Sequence, residues 1–273
     1  YKDINEIFSK HPECKVWFFC NGCGANLYFI SGVIENLYKH CQEAIHTGTI
    51  GFVTSSGSGL PVVSLRLHDP HGTIPWETLY CFIYNSTGDN LYDNIYKWVY
   101  NQVENSKKWE FCKSKSNFKH IVITTVVDTN SKITWFYHDC STTSNIPDKI
   151  YIKTAIASAY FGFMDPQSNW KGINLSTNTT QQHHEEKCHL DGWIWYNPPQ
   201  NTIDLFNLIG INCYSVTFFI KAIHGLLFAS RNKCSKWYIS GYEKCESLLL
   251  SKNSVIYNIL NDYIQYPSLL PTQ

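Results

Sequence analysis

The chain has 273 residues, 44% of them apolar and 15% aromatic, with 22 basic and 22 acidic side chains. Such a length leaves one large or two small domains open, and the apolar share is enough for a substantial core. Zero net charge excludes a general attraction to polyanions, so nucleic acid is not an expected partner. The eleven cysteines are scattered, an odd number that points to reduced thiols in a cytosolic setting. Cys20 and Cys23 form a C-x-x-C pair inside a glycine-containing turn, without the second pair that a zinc knuckle needs. The opening Tyr1-Lys2-Asp3-Ile4 is polar and shows no signal peptide, but it lacks an initiator methionine, so a trimmed precursor and secretion stay open. Sequons at Asn85, Asn174 and Asn178 do not establish secretion by themselves.

In chain order, Lys15 to Cys20 is a short apolar and aromatic run of strand type. A turn follows at Asn21-Gly22-Cys23-Gly24-Ala25-Asn26. From Ile30, apolar residues at Val33, Ile34, Leu37, Tyr38 and Cys41 fall at helical spacing. Thr49–Val53 then predicts a second strand, with a turn at Thr54–Gly57 and a helix from about Ser58. Pro61 is compatible with that helix only in its first turn. Two successive strand–turn–helix units predict an α/β fold with parallel strands.

Leu91, Ile95, Trp98, Val99, Gln102 and Val103 predict an amphipathic helix over about 89–105. His120–Asp128 reads as a buried strand and Lys132–Tyr137 as its hairpin partner. The small apolar run Lys153–Phe161 suggests a helix packed closely on its neighbours. Residues 167–187 are polar and read as a surface loop, and 202–230 read as mostly helical. Leu208–Ala229 is long and apolar, but Asn212, Lys221 and His224 argue for a buried or interfacial helix over a spanning one. The lysines between Lys107 and Lys119 read as a solvated loop, with contact to an anionic membrane as the rarer alternative.

A serine hydroxyl becomes a nucleophile when a base takes its proton and donors hold the oxyanion. Ser55, between a strand and a helix, occupies the position such a nucleophile needs, and the bland alternative is a capping role for this run, filled by Ser56 or Ser58. The N–H groups of Gly22, Cys23 and Gly24 precede a helix N-terminus, where the helix dipole favours negative charge. Asp191-Gly192 supplies a carboxylate on a turn. A Ser–His–Asp order built from Ser55, Asp139 and His183 or His189 rests on order alone. His183-His184-Glu185-Glu186-Lys187-Cys188-His189 lacks the H-E-x-x-H pattern, so no metal or cofactor is expected.

These motifs together resemble the patatin-like phospholipase family, including its animal triglyceride-lipase branch. Gly22-Cys23-Gly24 is similar to its oxyanion loop and Gly32 to the glycine of the following helix. Thr54-Ser55-Ser56-Gly57 is similar to its nucleophile elbow. Asp191-Gly192 and the downstream Asn197-Pro198 are similar to its second catalytic motif. The resemblance spans about residues 15–200. It implies a single patatin-like domain over 1–273, with the motif-bearing core at 15–200 and a helical part at 201–273. The implied fold is a layered α/β sandwich, with a mainly parallel sheet and helices on both faces. It further implies a serine acyl hydrolase cleaving lipid carboxyl esters, phospholipid before acylglycerol, with Ser55 as nucleophile and Asp191 as base. Gly22, Cys23 and Gly24 would hold the oxyanion, and no cofactor is required. The setting would be cytoplasmic, at a peripheral membrane or lipid-droplet surface, and the resemblance names no protein partner. Val53, Leu27 and Trp193 stand where the family has small residues, and Asn26 where many members carry a basic one. The alternative is therefore a weak or inactive relative that binds lipid or a partner.

Overall fold

The computed structural model describes residues 1–67, 92–97, 117–127, 130, 132–144, 146–159, 189–190, 197–221 and 230–265. Asp191, Gly192 and Trp193 lie outside these residues, as do the segment 167–187, Asp128 and most of the Lys107–Lys119 cluster. Of the helix expected over 89–105, residues 92–97 are described and are helical.

Strand β1 (Val16–Cys20) is buried along its whole length, as is β2 (Ile50–Ser55). Continuous burial is what a parallel sheet covered on both faces demands, and it explains why these strands read as unbroken apolar runs. β1 and β2 pair in parallel, Phe19 opposite Val53 and Cys20 opposite Thr54. β3 (Lys119–Val127) continues the parallel set, with Ser55 beside Ile123. β4 (Ile133–Asp139) folds back antiparallel, Ile121 opposite Asp139, which is the expected hairpin. β5 (His189–Leu190) pairs antiparallel with β3 at Val126 and Thr125, and β6 (Ile203–Asp204) lies parallel to β1 on its other side. The sheet order is β4-β3-β2-β1-β6, with β5 off that path. The expected α/β class with a mainly parallel sheet is thus observed.

Alternate residues serve two cores. Phe18, Phe52 and Val122 face the larger one, beneath α2 (Leu27–His46), α3 (Gly59–Leu67) and α4 (Asp148–Ser158). Trp17, Phe19, Val53, Ile121 and Ile123 face the smaller one, which Ile4 and Ile7 of the N-terminal segment cover, Ile7 from the short helix α1 (Asn5–Phe8). Helix α4 begins earlier than its apolar run suggested, because Pro147 can precede a helix but cannot continue one.

Residues 202–221 depart from the helical expectation. Ile203–Asp204 is strand β6, and Asp204 then caps the four-residue helix α5 (Leu205–Leu208) by accepting the Asn207 N–H. Gly210 takes a left-handed φ of 80°, which breaks the apolar run before residues 216–221 turn helical again. A long helix α6 (Arg231–Leu250) and α7 (Val255–Leu260) follow. A Cβ at Gly32 would lie 2.1 Å from Tyr238 O, and one at Gly241 2.0 Å from Phe29 O. Glycine at both positions lets α2 and α6 touch backbone to backbone. Among the described residues, no helix is long and apolar enough to cross a membrane.

Candidate active site

The carboxyl ends of β1 and β2 meet at two facing turns. β2 ends at Ser55 in extended backbone, φ −131° and ψ 148°. Ser56 then takes φ +56°, a left-handed conformation that a serine adopts only where the surroundings impose it. A one-turn 3₁₀ helix, Ser56–Ser58, leads directly into α3. This is a strand–elbow–helix unit, and its strained residue is Ser56, one position beyond the Ser55 read from the sequence. Ser56 is therefore not a conventional helix cap. Of the two, Ser56 retains 6% exposure and Ser55 none.

The elbow is pinned from three sides. The Ser56 N–H donates to Ser158 Oγ at 2.8 Å, and Ser158 Oγ donates to Ile123 O at 2.5 Å, tying the turn to α4 and β3. Ser58 Oγ lies 2.6 Å from Cys20 O and 2.7 Å from Ser55 O, so its single proton is shared between the ends of β1 and β2. Thr54 Oγ1 bonds His120 Nε2 at 2.8 Å, and His120 Nδ1 bonds the Tyr151 hydroxyl at 2.8 Å. Burial, reinforced by the Arg66 guanidinium, holds the His120 pKa well below its ordinary value, so this imidazole is neutral. Val53, where the resembled family has a small residue, packs into the smaller core with Phe19 and Ile121.

The glycine loop faces the elbow. Gly24 has φ +48° and opens the 3₁₀ turn Gly24–Asn26, which runs into α2. A Cβ at Gly57 would sit 3.7 Å from Cys23 Sγ and 3.9 Å from Gly24 N. The N-termini of two helical segments, α2 with its 3₁₀ turn and α3 with its own, thus converge. The first N–H groups of such segments have no intrahelical acceptor. Gly22, however, is already engaged: its N–H donates to Asn21 Oδ1 at 2.8 Å. The Gly24 N–H lies on the side of the loop that faces Gly57.

Asn21 organises this corner. Its Oδ1 also accepts the Ser55 hydroxyl at 3.1 Å, and its Nδ2 reaches Cys213 Sγ at 3.8 Å. Beside it, the Tyr214 hydroxyl donates to Asp204 Oδ2 at 3.1 Å. Burial raises the Asp204 pKa despite hydrogen bonds from Asn207, Tyr214 and Phe206. Burial and the nearby Asp204 push the Cys213 thiol up to about 11, so it is no nucleophile at neutral pH.

Asp191 lies outside the described residues. Leu190, just before it, pairs with Thr125, two residues along β3 from the Ile123 that flanks Ser55. Asp139, the acid of the triad alternative, sits across from Ile121 towards the start of β3 and bonds His11 Nε2 at 2.9 Å. That removes it from the elbow and from the triad. Sequence reasoning missed Asn21, Ser158 and the left-handed backbone of Ser56. By the elbow pattern the sequence favours Ser55, which keeps Gly57 two residues on, whereas Thr54 and Ser58 flank Ser56; the backbone alone points to Ser56. The chain matches no protein-family model and no curated protein.

Proposed function

We propose that the chain is a serine acyl hydrolase acting on lipid carboxyl esters, with Ser56 as the nucleophile. The observation that carries this reading is the left-handed Ser56 on a strand–elbow–helix turn, facing the Gly24 loop across Gly57. Such an elbow lifts a hydroxyl clear of the sheet and sets it against helix N-termini. Ser56 Oγ attacks the ester carbonyl carbon, and its proton passes to the carboxylate of Asp191. The oxyanion is held by the Gly24 and Gly57 N–H groups, aided by the dipoles of the two converging helical segments. Collapse expels the alcohol, which takes the proton back from Asp191. Water, deprotonated by the same carboxylate, then releases the acid. Ser55 serves as a support that locks the end of β2 to Asn21. The patatin-like resemblance supports a glycerolipid substrate, and the register of Leu190 on β3 supports Asp191 as the base.

A fluorophosphonate probe followed by peptide mass spectrometry tests this directly. The expected adduct is on Ser56, with loss of short-chain ester cleavage on labelling. Absence of both adduct and cleavage leaves a lipid-binding relative without catalysis. An adduct on Ser55 restores the frame first read from the sequence.

A further inference from the structure

Beside the glycine loop lies a cavity of about 470 Å³, lined by Asn26, Ile220, Lys221, Lys233 and Trp237. Helices α2 and α6 run parallel along this side. Tyr28 meets Cys234, Gly32 meets Tyr238, and Lys39 bridges to Glu246 at 3.2 Å, so the order of contacts is the same on both. Their N-termini therefore stand side by side at the cavity, and both dipoles present a positive end to it.

The charges there go against ordinary helix logic. An N-terminal turn favours acidic side chains, yet α2 and α6 have none in their first turns. Helix α6 instead opens with Arg231 and Lys233, and Lys236 follows. Among the described residues neither Lys221 nor Lys233 has a carboxylate partner, and Lys233 Nζ lies 5.2 Å over the Trp237 ring. Asn26 adds a buried Nδ2 donor with no acceptor. Parallel dipoles, two lysines and an orphaned amide all lack the same thing, an anion. Trp237 and the exposed Ile220 add apolar surface at the rim.

We propose that this cavity binds the phosphate group of a glycerophospholipid headgroup. Asn26 ends the same 3₁₀ turn that Gly24 begins, roughly 4 Å along its axis at the usual rise. A phosphate held there leaves an ester on the same glycerol within reach of Ser56. The lysines and the Asn26 amide donate to the phosphate oxygens, and Trp237 with Ile220 covers the glycerol. The site deepens the hydrolase reading and rests on it only for the fate of the ester.

Calorimetric titration of the Ser56→Ala protein separates binding from cleavage. The probes are dihexanoyl phosphatidic acid below its aggregation concentration, dihexanoylglycerol and inorganic phosphate. Phosphatidic acid is expected to bind more tightly than either of the others. Lys221→Gln and Lys233→Gln should each weaken it about tenfold, leaving dihexanoylglycerol and the thermal midpoint unchanged, since both lysines are exposed. Equal binding of the two lipids, or indifference to both substitutions, overturns the site. Inorganic phosphate binding as tightly as phosphatidic acid assigns the cavity to a free anion and overturns the headgroup. Lysine-dependent binding in a protein whose unsubstituted form cleaves no ester retains this site and refutes the hydrolase.

Discussion

The two ends of the parallel strands both bury polar groups, and they treat them in opposite ways. At the amino end, Lys119 Nζ reaches Glu13 at 2.6 Å, His11 Nδ1 at 3.1 Å and Thr143 Oγ1 at 3.2 Å. Because an ammonium can only donate, His11 Nδ1 is an acceptor, and its Nε2–H donates to Asp139 at 2.9 Å. Burial opposes ionisation of Asp139, but hydrogen bonds from His11 and Ser141 outweigh it and lower its pKa. Every charge there has a partner in relaxed geometry. At the carboxyl end neutral hydroxyls and amides surround the Asp204 carboxylate, and the backbone at Ser56 is strained. A saturated network holds a fold together. A strained one is prepared for a ligand.

The sharpest way to break this contrast is to remove the two serines separately. Ser56→Ala should lower kcat/KM for ester cleavage by about 10⁴-fold or more, as loss of a nucleophile does. Ser55→Ala should lower it by about tenfold, through a loosened Asn21 and Gly22, with substrate affinity little changed. Equal losses in the two variants would mean that the elbow geometry does not select the nucleophile.

Next in size is the amino end. Lys119→Met removes a cation whose side chain is wholly buried, stranding His11 Nδ1 and freeing the exposed side of Glu13. Breaking such a pair costs about 3 kcal/mol, read by urea unfolding. Turnover per folded molecule should be unchanged. A parallel fall in kcat would show that the two ends are coupled and the contrast is false.

The middle of the sheet gives a pH test. His120 has its pKa depressed below its unfolded value by burial and by Arg66. Above pH 6.5 it is neutral both folded and unfolded, and stability is unaffected. As pH falls through 6.5, the unfolded chain takes up a proton that the folded chain refuses. Stability then drops by about 1.4 kcal/mol per pH unit from this group. Burial also lowers the pKa of His40 and His46, which are less enclosed and add smaller slopes of the same sign. Unfolding free energies at pH 7.5 and 5.5 should differ accordingly, and His120→Gln should flatten the difference while preserving one hydrogen bond.

Strands β1 to β3 and helix α2 were legible because burial on both faces leaves unbroken apolar runs and a helix leaves a stripe. Strand β6 was not: Ile203–Asp204 is two residues long and owes its state to pairing with Phe18 and Phe19, a long-range contact without local signature. Helix α6 was hidden for a related reason. Its inward face relies on Cys234, Gly241, Cys245 and Leu249, small residues chosen for close approach, so its apolar stripe is thin. At the site, the glycine loop and the strand–turn–helix setting were readable, whereas the proposal of Ser56 over Ser55 rests on one backbone torsion that leaves no local signature. Asn21 passed as a turn residue because its work is done by side-chain contacts to Ser55 and Cys213, distant in sequence.

The smallest expected effect separates stability from catalysis most finely. A Cβ at Gly57 would meet its nearest neighbours at 3.7 Å or more, ordinary contact distances, and Gly57 does not have a positive φ. Gly57→Ala should therefore leave the unfolding free energy within about 0.5 kcal/mol, the helix preference of alanine offsetting any tightness. The added methyl nevertheless enters the gap between the elbow and the Gly24 loop, where the oxyanion has to sit. Displacing a tetrahedral intermediate by a fraction of an ångström from its donors should lower kcat about fivefold, with KM less affected. Ser158→Ala is the complementary change, since it leaves that gap open but releases the Ser56 N–H. If Gly57→Ala leaves kcat intact while Ser158→Ala lowers it, the donors lie elsewhere and the elbow alone carries the chemistry.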